Sequence, residues 1–319
     1  MKFASYKDGS RDGQLVVVSR DLTQAHFPSH VANKLQQVLD DWNYLSPQLQ
    51  DVYDALNAGR ARHAFPFDPS QCLAPLPRAY QRVESVAFAA GDAPSEPVMV
   101  QACSDSLSGP RDPMVCGSVA FGPDFEAGLA VITSDIPMGC PSDRALEGVR
   151  LLALANSLYL RTVAPSIGSR PSTAFSPVAV TPDELGEAWS RGRVHLTLQT
   201  TWNGRKVGMC EAGSNMTFHF GQLIAHLCRT RRLRAGSIIG SGAVANQGTE
   251  KKGRWDWPLG YNSIAAKRAM EAIQDGQPST DYLQAGDTVR VEMKGRDGHS
   301  VFGAIEQEVS LLPAAAQKS

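Results

Sequence analysis

The sequence predicts a β-rich α+β fold, with a small N-terminal module ahead of a larger, mostly antiparallel domain that carries peripheral helices. Three observations lead there. The 319 residues leave room for two units at roughly 150 residues each. The proline-rich stretch 65–77 (FPFDPSQCLAPLP) places a boundary near residue 78, dividing the chain into 1–78 and 79–319. Beyond it, apolar or alternating runs bounded by Asn-Gly and Asp-Gly turns recur among a few helical stretches.

Taken in order, the run 15–18 (LVVV), bounded by polar and glycine-containing residues, predicts a short strand. Leu35, Val38, Leu39, Trp42 and Leu45 fall at helical spacing. Ser46-Pro47 supplies an N-cap with proline in the first turn, which predicts a restarted helix carrying Leu49, Val52 and Leu56. Residues 129–136 form an apolar strand candidate. Thr181-Pro182-Asp183-Glu184 has the form of a capping box opening a helix. Residues 195–208 predict two strands around Asn203-Gly204, the strongest short hairpin signal. A one-sided apolar stretch at 222–229 and the run 263–274, stopped by Gly276 and Pro278, predict two helices. Val289, Val291 and Met293 alternate up to Asp297-Gly298, and Val301, Gly303 and Ile305 answer them as a second hairpin.

Composition excludes several function classes. A hydrophobic fraction of 42% with 20% charged residues excludes disorder, collagen and coiled coil. A net charge of −1 gives no field for nucleic acid or anionic lipid. No apolar run approaches the ~20 residues that cross a bilayer. The opening MKFASYKDGSRDGQ has no apolar signal core, and the six cysteines form no CxxC pair. A cytoplasmic protein with reduced thiols is therefore expected, and no zinc motif is written among the seven histidines. There is no internal repeat or low-complexity segment.

Three stretches could carry chemistry. Asp124 and Glu126 lie two apart beside a strand, share a face, and could hold a hard cation such as Mg2+. Solvated carboxylates at a strand edge are the commoner arrangement. The polar turn 104–112 (SDSLSGPRD) could line a pocket or be an ordinary loop. The stretch 240–248 (GSGAVANQG) could receive an anion on its amides, although it lacks the P-loop lysine and the GxGxxG spacing; Lys251-Lys252 beside it reads as a solvated pair.

Taken together, SDSLSGPRD, DFEAGLAVITSDIPMG, RPSTAFSPVAVTPDELGEAW, MTFHFGQLIAHLCRTR, GSIIGSGAVAN and GDTVRVEMKGRDGHSVFGAIEQ stand in the order seen in the fumarylacetoacetate hydrolase family. The N-terminal KDGSRDGQLVVVSRDL and ARHAFPFDPSQCLAPLPRAYQ resemble its bacterial branch, so the resemblance covers nearly the whole chain. It implies a small barrel-like N-terminal domain, a mixed β-roll C-terminal domain and a homodimer. It also implies cleavage of a carbon–carbon bond in diketo acids, with a divalent cation polarising the substrate and a histidine–glutamate pair activating water.

Carried over residue by residue, the resemblance implies a degenerate site. The first metal aspartate falls on Glu84. The two metal glutamates fall on Glu126, which is kept, and Gly128. The last metal aspartate falls on Ser157, the substrate-binding threonine on Ala243, and the pocket lysine on Arg170, while Arg161 matches. The general-base histidine has no counterpart in the shortened stretch 88–97 (FAAGDAPSEP), and its partner glutamate falls on Ala266. Loss of a general base typically costs about 10²–10⁴ in rate, and loss of a metal's charge costs several kcal/mol more. His195, in a predicted strand, and His219 and His226, in or near a helix, read as structural residues.

Three readings remain. The leading one is a repurposed, metal-independent enzyme acting on a ketone- or β-dicarbonyl-bearing small molecule by cyclisation, condensation or isomerisation, in a biosynthetic setting. Its acid/base groups are Glu126 and Glu84, with a carboxyl pKa raised by burial, and Arg161 completes the catalytic set. Tyr159 and Arg170 bind carbonyl or anion, and Asp105, Ser157 and Ala243 line the pocket. No cofactor is expected on this reading. The second reading is a non-catalytic pseudoenzyme, or a partner of an active paralogue. The third is a diketo-acid hydrolase with Mg or Ca on rearranged ligands drawn from Glu84, Glu126, Asp124 and Asp105.

Overall fold

The computed structural model describes residues 1–88, 94–165 and 167–312. Its main feature among these residues is an 11-stranded sheet. In spatial order the strands are Phe65–Pro66, Gln24–His26, Gln14–Val18, Lys2–Tyr6, Ala179–Val180, Val149–Leu160, Pro123–Thr133, Ile238–Ala243, Arg82–Ser85 and Met99–Ala102, with Ser172–Phe175 also pairing onto Val149–Leu160. Strands of the first 78 residues are continuous with the rest through Lys2–Tyr6 against Ala179–Val180. Pairing in this sheet is antiparallel except between Ile238–Ala243 and Arg82–Ser85. A second, five-stranded sheet contains Thr197–Trp202, Arg205–Glu211, Thr288–Met293 and Ile305–Leu311, with Met114–Cys116 at its edge. The fold is α+β and mostly β, as the sequence predicts.

The two long central strands explain where the core lies. Side chains alternate across a sheet, so Phe125, Ala127, Leu129 and Val131 of Pro123–Thr133, with Leu152 and Leu154 of its neighbour, join one apolar cluster with the second sheet and the helix Phe220–Cys228. Ala130, Ile132, Leu151, Ala153 and Ala155 point the other way. They pack with Leu35, Leu39, Leu49 and Tyr53 from the helices Leu35–Asp40 and Trp42–Asn57. A strand buried on both faces reads as a continuous apolar run, which is why residues 129–133 stood out.

Several local signals operate as read. Asn203 (φ 49°) and Gly204 (φ 75°) form the tight turn between Thr197–Trp202 and Arg205–Glu211. Ser263 caps the helix Ile264–Asp275 by accepting from Ala266 N at 3.1 Å, and Gly276 ends it at φ 82°.

Others need correction. The helix break falls at Asp41 (φ −128°, ψ 47°), and Ser46-Pro47 lies inside Trp42–Asn57. That helix gives up the bond that Pro47 cannot donate and keeps its packing through Leu49 and Tyr53. The segment Pro182–Ala188 is 3-10, Thr181 makes no side-chain cap bond, and Gly186 interrupts it at φ 51°. The apolar strand starts at Pro123 and ends at Thr133, so Ile136 lies beyond it in a bridge to Leu233. In the last hairpin Val291 faces Ile305, so Val301 and Gly303 belong to a long loop that contains the Asp297-Gly298 turn. His195 lies between strands rather than in one, whereas His219 caps and His226 lies within Phe220–Cys228. Lys252 is exposed in the turn between Thr249–Lys251 and Arg254–Asp256.

Gly276 has no atom within 4 Å of where a Cβ would stand, so Gly276→Ala carries backbone strain alone. We expect it to lower stability by about 1–2 kcal/mol, read as a reduced urea midpoint with an unchanged slope.

Candidate active site

The sheet face that is apolar beneath the N-terminal helices becomes polar at its other end. Along Pro123–Thr133 the side chains on this face run Ile132, Ala130, Gly128, Glu126, Asp124. Their partners across the ladder to Val149–Leu160 include Ala155, Ser157 and Tyr159 in register with Gly128, Glu126 and Asp124. On the other side Gly240 aligns with both Ala130 and Glu84. Residues directly opposite one another share a face, so register alone gathers Glu84, Asp124, Glu126, Ser157 and Tyr159 into one patch. Arg82, two residues before Glu84 on the same strand, joins them.

The deepest part is a pair of charges. The Arg82 and Glu84 side chains are 1% and 5% exposed and form a salt bridge. Arg82 Nη2 also donates to Ser157 Oγ at 2.9 Å. Ser157 Oγ lies 3.3 Å from Glu84 Oε2 and 3.0 Å from Thr173 Oγ1. The other Glu84 oxygen accepts Gly242 N–H at 2.8 Å. The glycine-rich stretch after residue 240 therefore does receive an anion on a backbone amide, and that anion is Glu84. A Cβ at Gly240 would stand 2.0 Å from Glu84 Oε1, which is why glycine is needed there. Arg82 Nε is buried with no partner among the described residues, and burial pulls this guanidinium below its ordinary value although Glu84 opposes the shift.

Nearer the surface, Glu126 (side chain 10% exposed) bridges two arginines. Arg161 Nη2 donates to its Oε1 at 2.8 Å, and Arg170 Nη1 donates to its Oε2. The Tyr159 ring packs against the same two guanidinium groups, with centroid distances of 3.9 Å to Arg161 and 4.2 Å to Arg170. Such cation–π contacts hold charge over a ring face. Burial works against the Arg170 charge, but Glu126 outweighs it and holds the guanidinium above its ordinary value.

Asp124 anchors the arrangement from behind. It is fully buried and accepts Arg161 Nε at 2.9 Å, Ile264 N at 2.6 Å and Ala265 N at 3.0 Å. A carboxylate at a helix N-terminus meets unpaired amides and a favourable dipole. Burial pushes the Asp124 carboxyl up to about 6, against Arg161 and the two amides. The commoner reading of Asp124 and Glu126 as solvated edge carboxylates is thereby overturned: both lie within the strand and are paired.

Among the sequence candidates, the structure thus brings together Glu84, Glu126, Ser157, Tyr159, Arg161 and Arg170. Ala243 adjoins them, opposite Gly128 at the end of Ile238–Ala243, and Ala266 lies in the first turn of Ile264–Asp275. Asp105 forms no bond with these residues: its carboxylate accepts the Cys103 thiol at 2.9 Å and lines a cleft of about 270 Å³ with Asp12, Arg78 and Tyr80. The turn 104–112 packs on Ser172–Phe175 through Ser108 N to Thr173 O at 2.9 Å. Of the shortened stretch 88–97, residues 89–93 lie outside the described residues. Arg82 is the member of this cluster that sequence reading missed, and strand periodicity could have found it, since Arg82 and Glu84 alternate with Val83 in RVES.

The residues present do not fit a divalent ion. Mg2+ requires near-octahedral oxygen ligands, yet the carboxylate oxygens of Glu84 and Glu126 already face Arg82, Ser157, Gly242 N, Arg161 and Arg170. No group of three His, Cys, Asp or Glu able to hold a metal occurs among the described residues. A side chain at Gly128 is blocked by backbone, because a Cβ would lie 2.1 Å from Gly242 O. Here the Ile238–Ala243 strand bulges, with a register shift between Gly240 and Ala243.

Comparison with known proteins agrees with this architecture. Residues 1–78 match the fumarylacetoacetase N-terminal domain 2, and residues 76–310 match the fumarylacetoacetate hydrolase C-terminal domain. The chain belongs to the fumarylacetoacetate hydrolase family. It is 28% identical over 227 residues to a 2,4-didehydro-3-deoxy-L-rhamnonate hydrolase of Sphingomonas sp. (strain SKA58), a match spanning 68% of this chain and 66% of that relative's length. Solved structures with the same fold include the fumarylacetoacetate hydrolase of Exiguobacterium antarcticum, at TM-score 0.68 and 18% identity, covering 98% of this chain and 100% of that one. Another is the maleylpyruvate hydrolase of Sphingobium sp. SYK-6 in complex with manganese(II) and pyruvate, at TM-score 0.68 and 15% identity, with the same coverage. A third is a 5-carboxymethyl-2-hydroxymuconate delta-isomerase of Mycobacterium smegmatis, at TM-score 0.62 and 16% identity, again covering 98% and 100%. Proteins of this fold thus include both hydrolases and isomerases. No helix among the described residues is long and apolar enough to cross a membrane.

Removing one partner of a buried ion pair leaves the other charge uncompensated. Arg82→Met should therefore cost about 3–5 kcal/mol of unfolding free energy. The double variant Arg82→Met/Glu84→Gln should recover more than half of that loss. Equal costs for the single and double variants in urea unfolding would show that Glu84 does not depend on Arg82.

Proposed function

We propose that this chain is a metal-independent enzyme acting on a small molecule with a ketone or β-dicarbonyl group, by isomerisation, cyclisation or condensation. The observation that carries this reading is the Arg161–Tyr159–Arg170 clamp around Glu126. Two guanidinium groups, 18% and 12% exposed, are fixed before any substrate arrives, and such preorganised donors stabilise charge that develops on a carbonyl oxygen. In this reading the substrate's carbonyl or carboxylate oxygen docks on Arg161 and Arg170. Glu126, released from part of its arginine pairing, takes or returns the proton. Glu84 and Ser157 lie beneath and act as positioning groups, since Arg82, Gly242 N and Thr173 hold them.

The relatives support the substrate class. One hydrolase was solved with manganese(II) and pyruvate, and another relative is named a 2,4-didehydro-3-deoxy-L-rhamnonate hydrolase; an isomerase of the same fold makes a reaction without net hydrolysis a natural member of the range. We further propose a cytoplasmic location and a homodimer. A second reading, a non-catalytic partner protein, is favoured by the neutrality of the cluster, in which Arg82, Arg161 and Arg170 balance Glu84, Asp124 and Glu126.

Turnover of a panel of β-dicarbonyl and 2-oxo acids separates the two readings. On the enzymatic reading at least one compound is consumed at a rate insensitive to chelator. Glu126→Gln, assayed well below its own unfolding midpoint, then lowers that rate about 10²–10⁴-fold, and Arg170→Ala raises KM. Absence of any turnover by the purified chain, together with retained folding of Glu126→Gln, would leave the partner-protein reading in its place.

A further inference from the structure

Three of the seven histidines meet in one place, far from the Glu126 cluster in the fold. His26 ends the strand Gln24–His26, His30 follows in the adjoining turn, and His63 belongs to the loop after the helix Trp42–Asn57. With Arg60 and Arg62 of that loop they line a cleft of about 590 Å³. Its floor is apolar, formed by Val31, Val52 and Ala55. Asp51, facing from the helix, is the acidic residue of its lining.

The loop that carries Arg60 to His63 is held in place. Arg60 N and Ala61 N both donate to Ala55 O, at 2.8 and 3.2 Å, which satisfies an end carbonyl of the helix. His63 sits at φ 63°, in the left-handed region, which a non-glycine residue adopts at a cost. Neither Arg60 nor Arg62 forms a salt bridge with any described residue. His26 Nδ1 is buried and has no hydrogen-bond partner among them. Cationic side chains thus surround a cavity with donors to spare, whereas Lys34 and Arg78 elsewhere in the N-terminal module pair with Asp8 and Asp12.

We propose that this cleft is a second binding site, separate from the Glu126 cluster, for a compact oxyanion carrying two or more negative charges. Arg60 and Arg62 supply fixed charge and planar donors, and His26 adds charge when it is protonated. Burial holds His26 below its ordinary value and His30 and His63 push in the same direction, while a hydrogen bond to the Arg62 main chain partly opposes them. An anion in the cleft opposes all three effects and raises the His26 pKa. By linkage the anion then binds more tightly as pH falls, because protonation and binding favour each other. Asp51 works against the anion at every pH in that window, while Arg60 and Arg62 work for it.

The test titrates the full chain with sulfate and with tartrate, both dianions throughout the window, at about pH 6 and about pH 8. Sodium chloride at matched ionic strength is the control, and imidazole nitrogen resonances report binding. The expected result is a saturable shift of His26, His30 and His63 with at least one dianion. Its affinity should be at least tenfold higher at the lower pH, and at least tenfold lower in Arg60→Gln/Arg62→Gln. His30→Gln, at an exposed position, gives a milder second variant that should reduce the pH dependence. Sulfate alone would assign the site to tetrahedral oxyanions, and tartrate alone to carboxylates. Shifts that rise linearly and match chloride, or saturable binding that the arginine variant leaves unchanged, would overturn the proposal.

Discussion

A buried charge must meet an opposite charge or a hydrogen bond, and this constraint shapes the centre of the molecule. Glu84, Asp124 and Glu126 rise from two strands that flank Ile238–Ala243 onto a single face of the main sheet, and Arg82, Arg161 and Arg170 neutralise them. An isolated carboxylate in such surroundings is far too costly to keep ionised. The pairing therefore sets where the three arginines must lie, and through Asp124 it also sets where the helix Ile264–Asp275 begins.

Backbone proximity fixes the rest of the arrangement. Gly240 and Gly242 let Ile238–Ala243 approach the Glu84 carboxylate so closely that one amide becomes its ligand. The bulge in that strand brings Gly242 O against Gly128. A carboxylate restored at residue 128 would have to displace main chain rather than solvent. Strand register thus keeps an acidic side chain away from residue 128 as firmly as side-chain identity does.

The legibility of the sequence followed the range of the forces involved. Asn203-Gly204 and the Ser263 to Gly276 helix were readable because turn geometry and capping depend on neighbours in the chain. Ser46-Pro47 misled, because Leu49 and Tyr53 pack well enough on the main sheet to carry the helix across the proline. The alternation ending at Asp297-Gly298 was real, but its return strand begins only at Ile305. Family resemblance named Glu84, Glu126, Ser157, Arg161 and Arg170 as a group. Residue types alone left Asp124 and Glu126 indistinguishable from surface carboxylates, since burial comes from elements distant in sequence.

The sequence by itself determined the β-rich class, the hairpins and caps governed by local geometry, and membership of a fold whose ordered motifs it carries. Tertiary structure decided which charges face which. Arg82 meets Ser157 across 75 residues, and Arg170 meets Glu126 across 44. Arg82 and Ser157 stand on strands separated by two others in the sheet, one of the pairings parallel, and Arg170 lies just before the strand Ser172–Phe175, so both contacts depend on the assembled sheet. Charge pairing acts through space and is set by register, whereas turns and caps act through a few adjacent bonds.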